Sequence, residues 1–292
     1  MHPQTSGIVL ETVNSMFILH YLLEVLKATL IQSLLLFGLF IILAFMMNLI
    51  ARQNEKTGIS VFGLKVYLYL FAWLGTAVHE TGHALFALLF RHKITSMKLF
   101  SPDLASGTLG YVSHTWNKKS GYQNIGNFFI GVGPIILGSL CLYLLSIFLF
   151  GRNVIQFNFD PDFQTLFGKE ELIQTAKELG VSLSHFFRYV LTGTNASWWK
   201  ALILFYTLFS IGSSVSLSAS DVKGAGYGFL FIILLLLAFN LVTLWIGDFA
   251  KEIILIINRF LTPFYLLILL SMAINLLFLL LLGIIVLIKN SL

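Results

Sequence analysis

Six stretches of this chain are apolar over the length of a membrane-crossing helix: about 29–50, 64–90, 127–150, 198–219, 226–247 and 263–288. A helix needs roughly 20 apolar residues to cross the hydrocarbon core of a bilayer. Charge agrees with that reading. Charged residues make up 11% of the 292 residues, against about 25% in an ordinary soluble domain. A water-soluble surface cannot be built from so few charges, and 28 Phe exclude a disordered chain. The net charge of +5 fits loop Lys and Arg beside lipid headgroups rather than a nucleic-acid surface. The single cysteine, Cys141, excludes a disulfide framework and a cysteine-based zinc cluster.

The expected fold is an all-α integral membrane protein with about six transmembrane helices, forming a single polytopic membrane domain over 1–292. Two long loops interrupt it, 91–126 and 151–197. Within the first, Gly107 to Thr115 has the small, alternating, β-prone character of a strand or hairpin. Within the second, about 163–190 has the pattern of an amphipathic interfacial helix, and residues 8–27 have another. Lys and Arg divide about evenly between the two sides of such a topology, so charge does not orient it.

The second span carries His79-Glu80-Thr81-Gly82-His83. Residues four apart on a helix differ by about 40° around the axis and about 6 Å along it. Both imidazoles therefore face one way and can share a zinc ion. Glu80 is turned about 100° from His79, close to the metal without being bound to it, as suits a base acting on a zinc-activated water. Two His and a Glu in a span cost several kcal/mol unless they are paired or coordinated. The alternative reading is a satisfied polar cluster between helices, as in a transporter or scaffold.

A zinc enzyme normally uses three protein ligands and leaves one position for water. Asp103, Asp221, His92 and His114 are the available third donors. Asp221 is favoured by parity. Spans two and four run in the same direction, so the end of span two and the residues just past span four lie toward one membrane side. The approach from Ser210 to Asp221 is rich in small residues, which let helices come close in lipid. Ser210, Ser214 and Asp221 share a face if that stretch stays helical. Asp103 is the second choice.

These residues resemble the site-2 protease family of intramembrane zinc metalloproteases. The resemblance rests on His79-Glu80-Thr81-Gly82-His83 within a span, on Gly133-Pro134 in the next one and on Asp221 at the end of a later one. It implies one Zn2+ per chain held by His79, His83 and Asp221, with Glu80 as the catalytic base. It also implies that the substrate is another membrane protein. Ser220-Asp221-Val222-Lys223-Gly224 departs from the Leu-Asp-Gly of many members, and nothing looks like an appended PDZ domain. The chain reads as a minimal, divergent member of a bacterial inner (cytoplasmic) membrane, working in the lipid bilayer and without nucleic acid.

Overall fold

The computed structural model describes residues 4–103, 108–156, 169–247 and 249–291. The expected amphipathic helix at 163–190 therefore falls partly outside the described residues; its described part is helical from Lys169.

The first described helix is α1 (Gln4–Ser33), which runs through a π-helical turn (Leu34–Gly38) into α2 (Leu39–Phe62). Gly63, at φ +81°, breaks the run. A short turn α3 (Leu64–Val66) and a second π segment (Tyr67–Ala72) lead into α4 (Trp73–Leu89). A hairpin follows, β1 (Lys93–Lys98) against β2 (Tyr111–Thr115), antiparallel. Five α-helices complete the described chain, with a 3-10 turn (Arg152–Val154) after the first: α5 (Gly121–Phe150), α6 (Lys169–Thr192), α7 (Trp198–Ser214), α8 (Ala219–Thr243) and α9 (Phe249–Ser291).

Four helical stretches among the described residues are long and apolar enough to cross a membrane: Met16–Phe62, Gly121–Phe150, Ser220–Thr243 and Glu252–Ser291. Two of the six expected spans are not among them. The run at 64–89 carries Lys65, His79, Glu80 and His83 among its apolar residues, and α7 stops at Ser214 after 17 residues. The chain breaks over 215–218 before α8 begins, so Ser210, Ser214 and Asp221 do not share one helix. Of the expected strand at 107–115, Tyr111–Thr115 is present as β2; Gly107 lies outside the described residues.

Two buried clusters hold the bundle together. One joins Leu142, Phe186, Leu204, Leu208 and Leu267, from α5, α6, α7 and α9. The other joins Met47, Ile135, Tyr265 and Ile268. Away from them, large apolar side chains such as Phe148, Leu234 and Leu280 are exposed. Apolar surface on that scale suits lipid rather than water. Buried amides link helices across the interior: Asn54 donates to the Asn275 side chain at 3.0 Å, and Asn240 to Gln32 Oε1 at 2.6 Å.

Small residues set how closely the site-bearing helices approach. A Cβ built on Gly82 of α4 would meet Pro134 N at 2.7 Å and Gly133 O at 2.8 Å, both backbone atoms of α5. One on Gly131 of α5 would meet the Ala225 side chain at 2.7 Å and Asp221 O at 2.9 Å, both in α8. Backbone-to-backbone packing of this kind is what glycine permits in apolar bundles.

Candidate metal centre

His79 and His83 lie one turn apart on α4, and their Nε2 atoms are 3.1 Å apart. Asp221 reaches them from α8: its Oδ1 is 3.3 Å from His83 Nε2 and its Oδ2 is 3.7 Å from His79 Nε2. Among the described residues these three form the group of His, Cys, Asp and Glu side chains whose donor atoms all lie within 4.8 Å of one another.

The outer ring nitrogens explain why the inner ones converge. His79 Nδ1 is 2.8 Å from Ser214 O, and His83 Nδ1 is 2.8 Å from Ile130 O. A carbonyl only accepts, so both Nδ1 atoms carry the hydrogen. A neutral imidazole then has its lone pair on Nε2. Outer contacts of this type fix the tautomer and ring orientation of metal-binding histidines.

Both carbonyls are free for a local reason. Ser214 is the last residue of α7, and the final carbonyls of a helix have no intrahelical donor. Ile130 lies four residues before Pro134, inside α5. Proline has no N–H, so the ladder bond to Ile130 O cannot form. His83 takes that place.

Asp221 is fixed by its own helix. It is the third residue of α8, and its Oδ2 accepts the Ser218 N–H at 2.8 Å. Ser218 Oγ in turn accepts the Asp221 N–H at 3.2 Å, completing a capping box. Ser210, on α7, locks the other approach. Its hydroxyl donates to Phe71 O at 2.7 Å and accepts from Gly75 N at 3.2 Å, filling the gap where the π segment passes into α4.

Two imidazole lone pairs and a carboxylate thus point at one another. A tetrahedral ion with Zn–N bonds of about 2.0–2.1 Å sets its donors about 3.3 Å apart. The separations of 3.1, 3.3 and 3.7 Å fit such an ion. The donor set of two nitrogens and one carboxylate oxygen leaves a fourth position open, as catalytic rather than structural zinc sites do.

The group borders a cavity of about 690 Å³, whose walls include His79, Glu80, His83, Asn127, His114 and Asp221. Glu80 is 9% exposed and faces the hairpin. A Cβ on Gly110 would lie 2.8 Å from Glu80 Cγ, so the chain entering β2 passes directly over this carboxylate. The other donors weighed from the sequence are not part of the three-donor group. Asp103 forms a β-bridge with Thr108, and His92 pairs with His114. Sequence reasoning missed Ile130 and Ser214 as outer partners. Pro134, four residues after Ile130, was the available signal for the first.

Fold and donor set define a helical protein with long apolar helices and a three-donor site fit for a divalent metal. Residues 56–156, about a third of the chain, match the family model described as Peptidase M50B-like. Over that segment the chain is similar to the M50 peptidases, the group that includes the site-2 proteases. The matched segment contains His79, Glu80, His83, the hairpin and Gly133-Pro134; Asp221 lies outside it. No curated protein and no solved structure matches the chain.

Proposed function

We propose that this protein is an intramembrane zinc metallopeptidase that hydrolyses a peptide bond of a membrane-protein substrate. The observation that carries the reading is the convergence of His79 Nε2, His83 Nε2 and the Asp221 carboxylate beside Glu80 in one cavity. In this reading the chain crosses the membrane six times, with 64–90 and 198–219 as short or interrupted crossings. Irregular helices at membrane depth are tolerated where they are covered by protein or line a cavity.

His79, His83 and Asp221 hold the ion. When bound, zinc supplies Lewis acidity, which acidifies water and polarises a carbonyl oxygen. Glu80 accepts the proton of the attacking water and delivers it to the leaving amide nitrogen, so one carboxylate serves as base and then as acid. Burial of Glu80 under the hairpin keeps bulk water from competing for that proton. Main-chain carbonyls of a transmembrane helix are tied up in hydrogen bonds, so the substrate must be extended to be cut. Tyr111 to His114 line the cavity, and among the described residues β2 pairs with β1 alone. Its second edge can take an extended segment as an added strand.

The test compares metal content and turnover. Purified wild type is expected to carry zinc and to cleave reconstituted single-span membrane proteins. Glu80→Gln is expected to keep the zinc and lose cleavage. Zinc retained without any Glu80-dependent cleavage would favour a non-proteolytic scaffold, and absence of zinc would remove the enzyme reading.

A further inference from the structure

A second histidine pair reaches the same cavity through His114, and its hydrogen bonds have a direction. His92 follows α4 and is 4% exposed. Its Nε2 is 2.9 Å from Gln123 O, which can only accept, so this nitrogen carries the hydrogen. A neutral imidazole has one hydrogen, which leaves His92 Nδ1 as an acceptor. It lies 3.0 Å from His114 Nδ1. His114 must therefore donate from Nδ1 and keep its lone pair on Nε2. Burial holds His92 below the usual histidine range. Burial, then the charges of His92 and His83, push His114 down to about 4, so both rings are neutral near pH 7.

The ring is also held in place. Trp116 stacks on His92 with centroids 5.7 Å apart and planes 13° from parallel, and its Nε1 donates to Asn124 Oδ1 at 3.2 Å. On β1 the register shifts between Ile94 and Ser96, immediately beside the Ile94–His114 pair. An extra residue of this kind twists a strand locally and re-aims neighbouring side chains. Val112 and His114 are the half-buried positions of β2, on one face of the strand, while their neighbours are exposed. The result is a neutral, oriented acceptor on the cavity wall. Among the described residues no protein donor takes up His114 Nε2, and the half-buried ring lines the cavity, where a donor on a bound ligand can reach it.

We propose that His114 is a substrate-binding residue whose Nε2 accepts a hydrogen bond from a main-chain N–H of the bound peptide. His92 is the positioning residue that fixes its tautomer. The proposal rests on the peptidase reading for its ligand, while its tautomer stands on the hydrogen bonds alone.

Two measurements test it. In metal-free protein labelled with ¹⁵N-histidine, His114 Nε2 should give an unprotonated, pyridine-type signal at about pH 7, assigned by its loss in His114→Gln. A protonated Nε2 would overturn the proposal without reference to activity. The second uses acetyl-dileucine hydroxamate binding to zinc-loaded protein by calorimetry. His114→Phe should bind roughly three- to tenfold more weakly, the worth of one net hydrogen bond, with zinc content unchanged. His114→Gln should recover part of the loss. Methylating the amide concerned should weaken binding to wild type but not to His114→Phe. Equal affinity of wild type and His114→Phe for every form of the probe would overturn the His114 assignment alone. A wild type that binds neither zinc nor hydroxamate would instead overturn the peptidase reading, and with it the ligand proposed here.

Discussion

Pro134 and His83 meet through one carbonyl. Pro134 cannot donate to Ile130 O, and His83 Nδ1 does so at 2.8 Å. The proline of the Gly133-Pro134 pair thereby frees the acceptor that orients an imidazole of the proposed metal site on a different helix. Pro134→Ala restores an N–H that competes for Ile130 O. Loss of an outer partner typically costs about 10- to 100-fold in metal affinity. The expected outcome is zinc affinity about tenfold weaker than wild type in chelator competition, with the helical content of the protein retained. Unchanged affinity would mean that this contact does not tune the site.

Gly82 packs directly against the backbone of α5. An added methyl would strike Pro134 N and Gly133 O, which are backbone and cannot swing aside. Gly82→Ala should therefore force α4 and α5 apart and destabilise the protein by about 1–3 kcal/mol, the usual cost of overpacking. Gly180→Ala is the control, since nothing lies within 4 Å of a Cβ there. Thermal unfolding in detergent should show a lowered midpoint for the first and none for the second.

Acid should weaken the hairpin region through His114. An unfolded imidazole takes up a proton below about 6.5, and His114 in the folded protein only below about 4. Between those values the unfolded chain holds the extra proton, so stability falls as pH drops from about 6.5 to about 4 and is level above. His92 adds in the same direction. Metal-free wild type should lose more thermal stability than His114→Phe between about pH 7 and about pH 5. Equal losses would place the titration elsewhere.

The cap of α8 carries the third donor. Ser218→Ala removes the hydroxyl that accepts the Asp221 N–H, while leaving the Ser218 N–H to the Asp221 carboxylate. Loss of such a cap costs about 1 kcal/mol. Weaker zinc binding than wild type, with slower cleavage in proportion, is the expected result.

Much of the site's layout is written in local sequence. The four-residue spacing of His79 and His83 puts both on one face of any helix, and the apolar runs fix helices as the dominant element. The small residues before Asp221 suggest close approach, but not the break at 215–218 that puts Asp221 in the first turn of α8. Ser218-x-x-Asp221 is itself a helix-start pattern, hidden because the surrounding residues are small enough to continue a helix. β1 was not legible. Lys93-Ile94-Thr95-Ser96-Met97-Lys98 is short and mostly exposed, and it becomes a strand only because β2 pairs with it. The π segment before α4 depends on Ser210, more than 130 residues away, and no local window contains that information.

The central claim is that His79, His83 and Asp221 bind one metal ion together. The most direct test is zinc content per chain of purified wild type, His79→Ala and Asp221→Ala, each checked for folding. The account predicts about one equivalent in wild type and near-complete loss in both variants. A full equivalent retained in Asp221→Ala would contradict it.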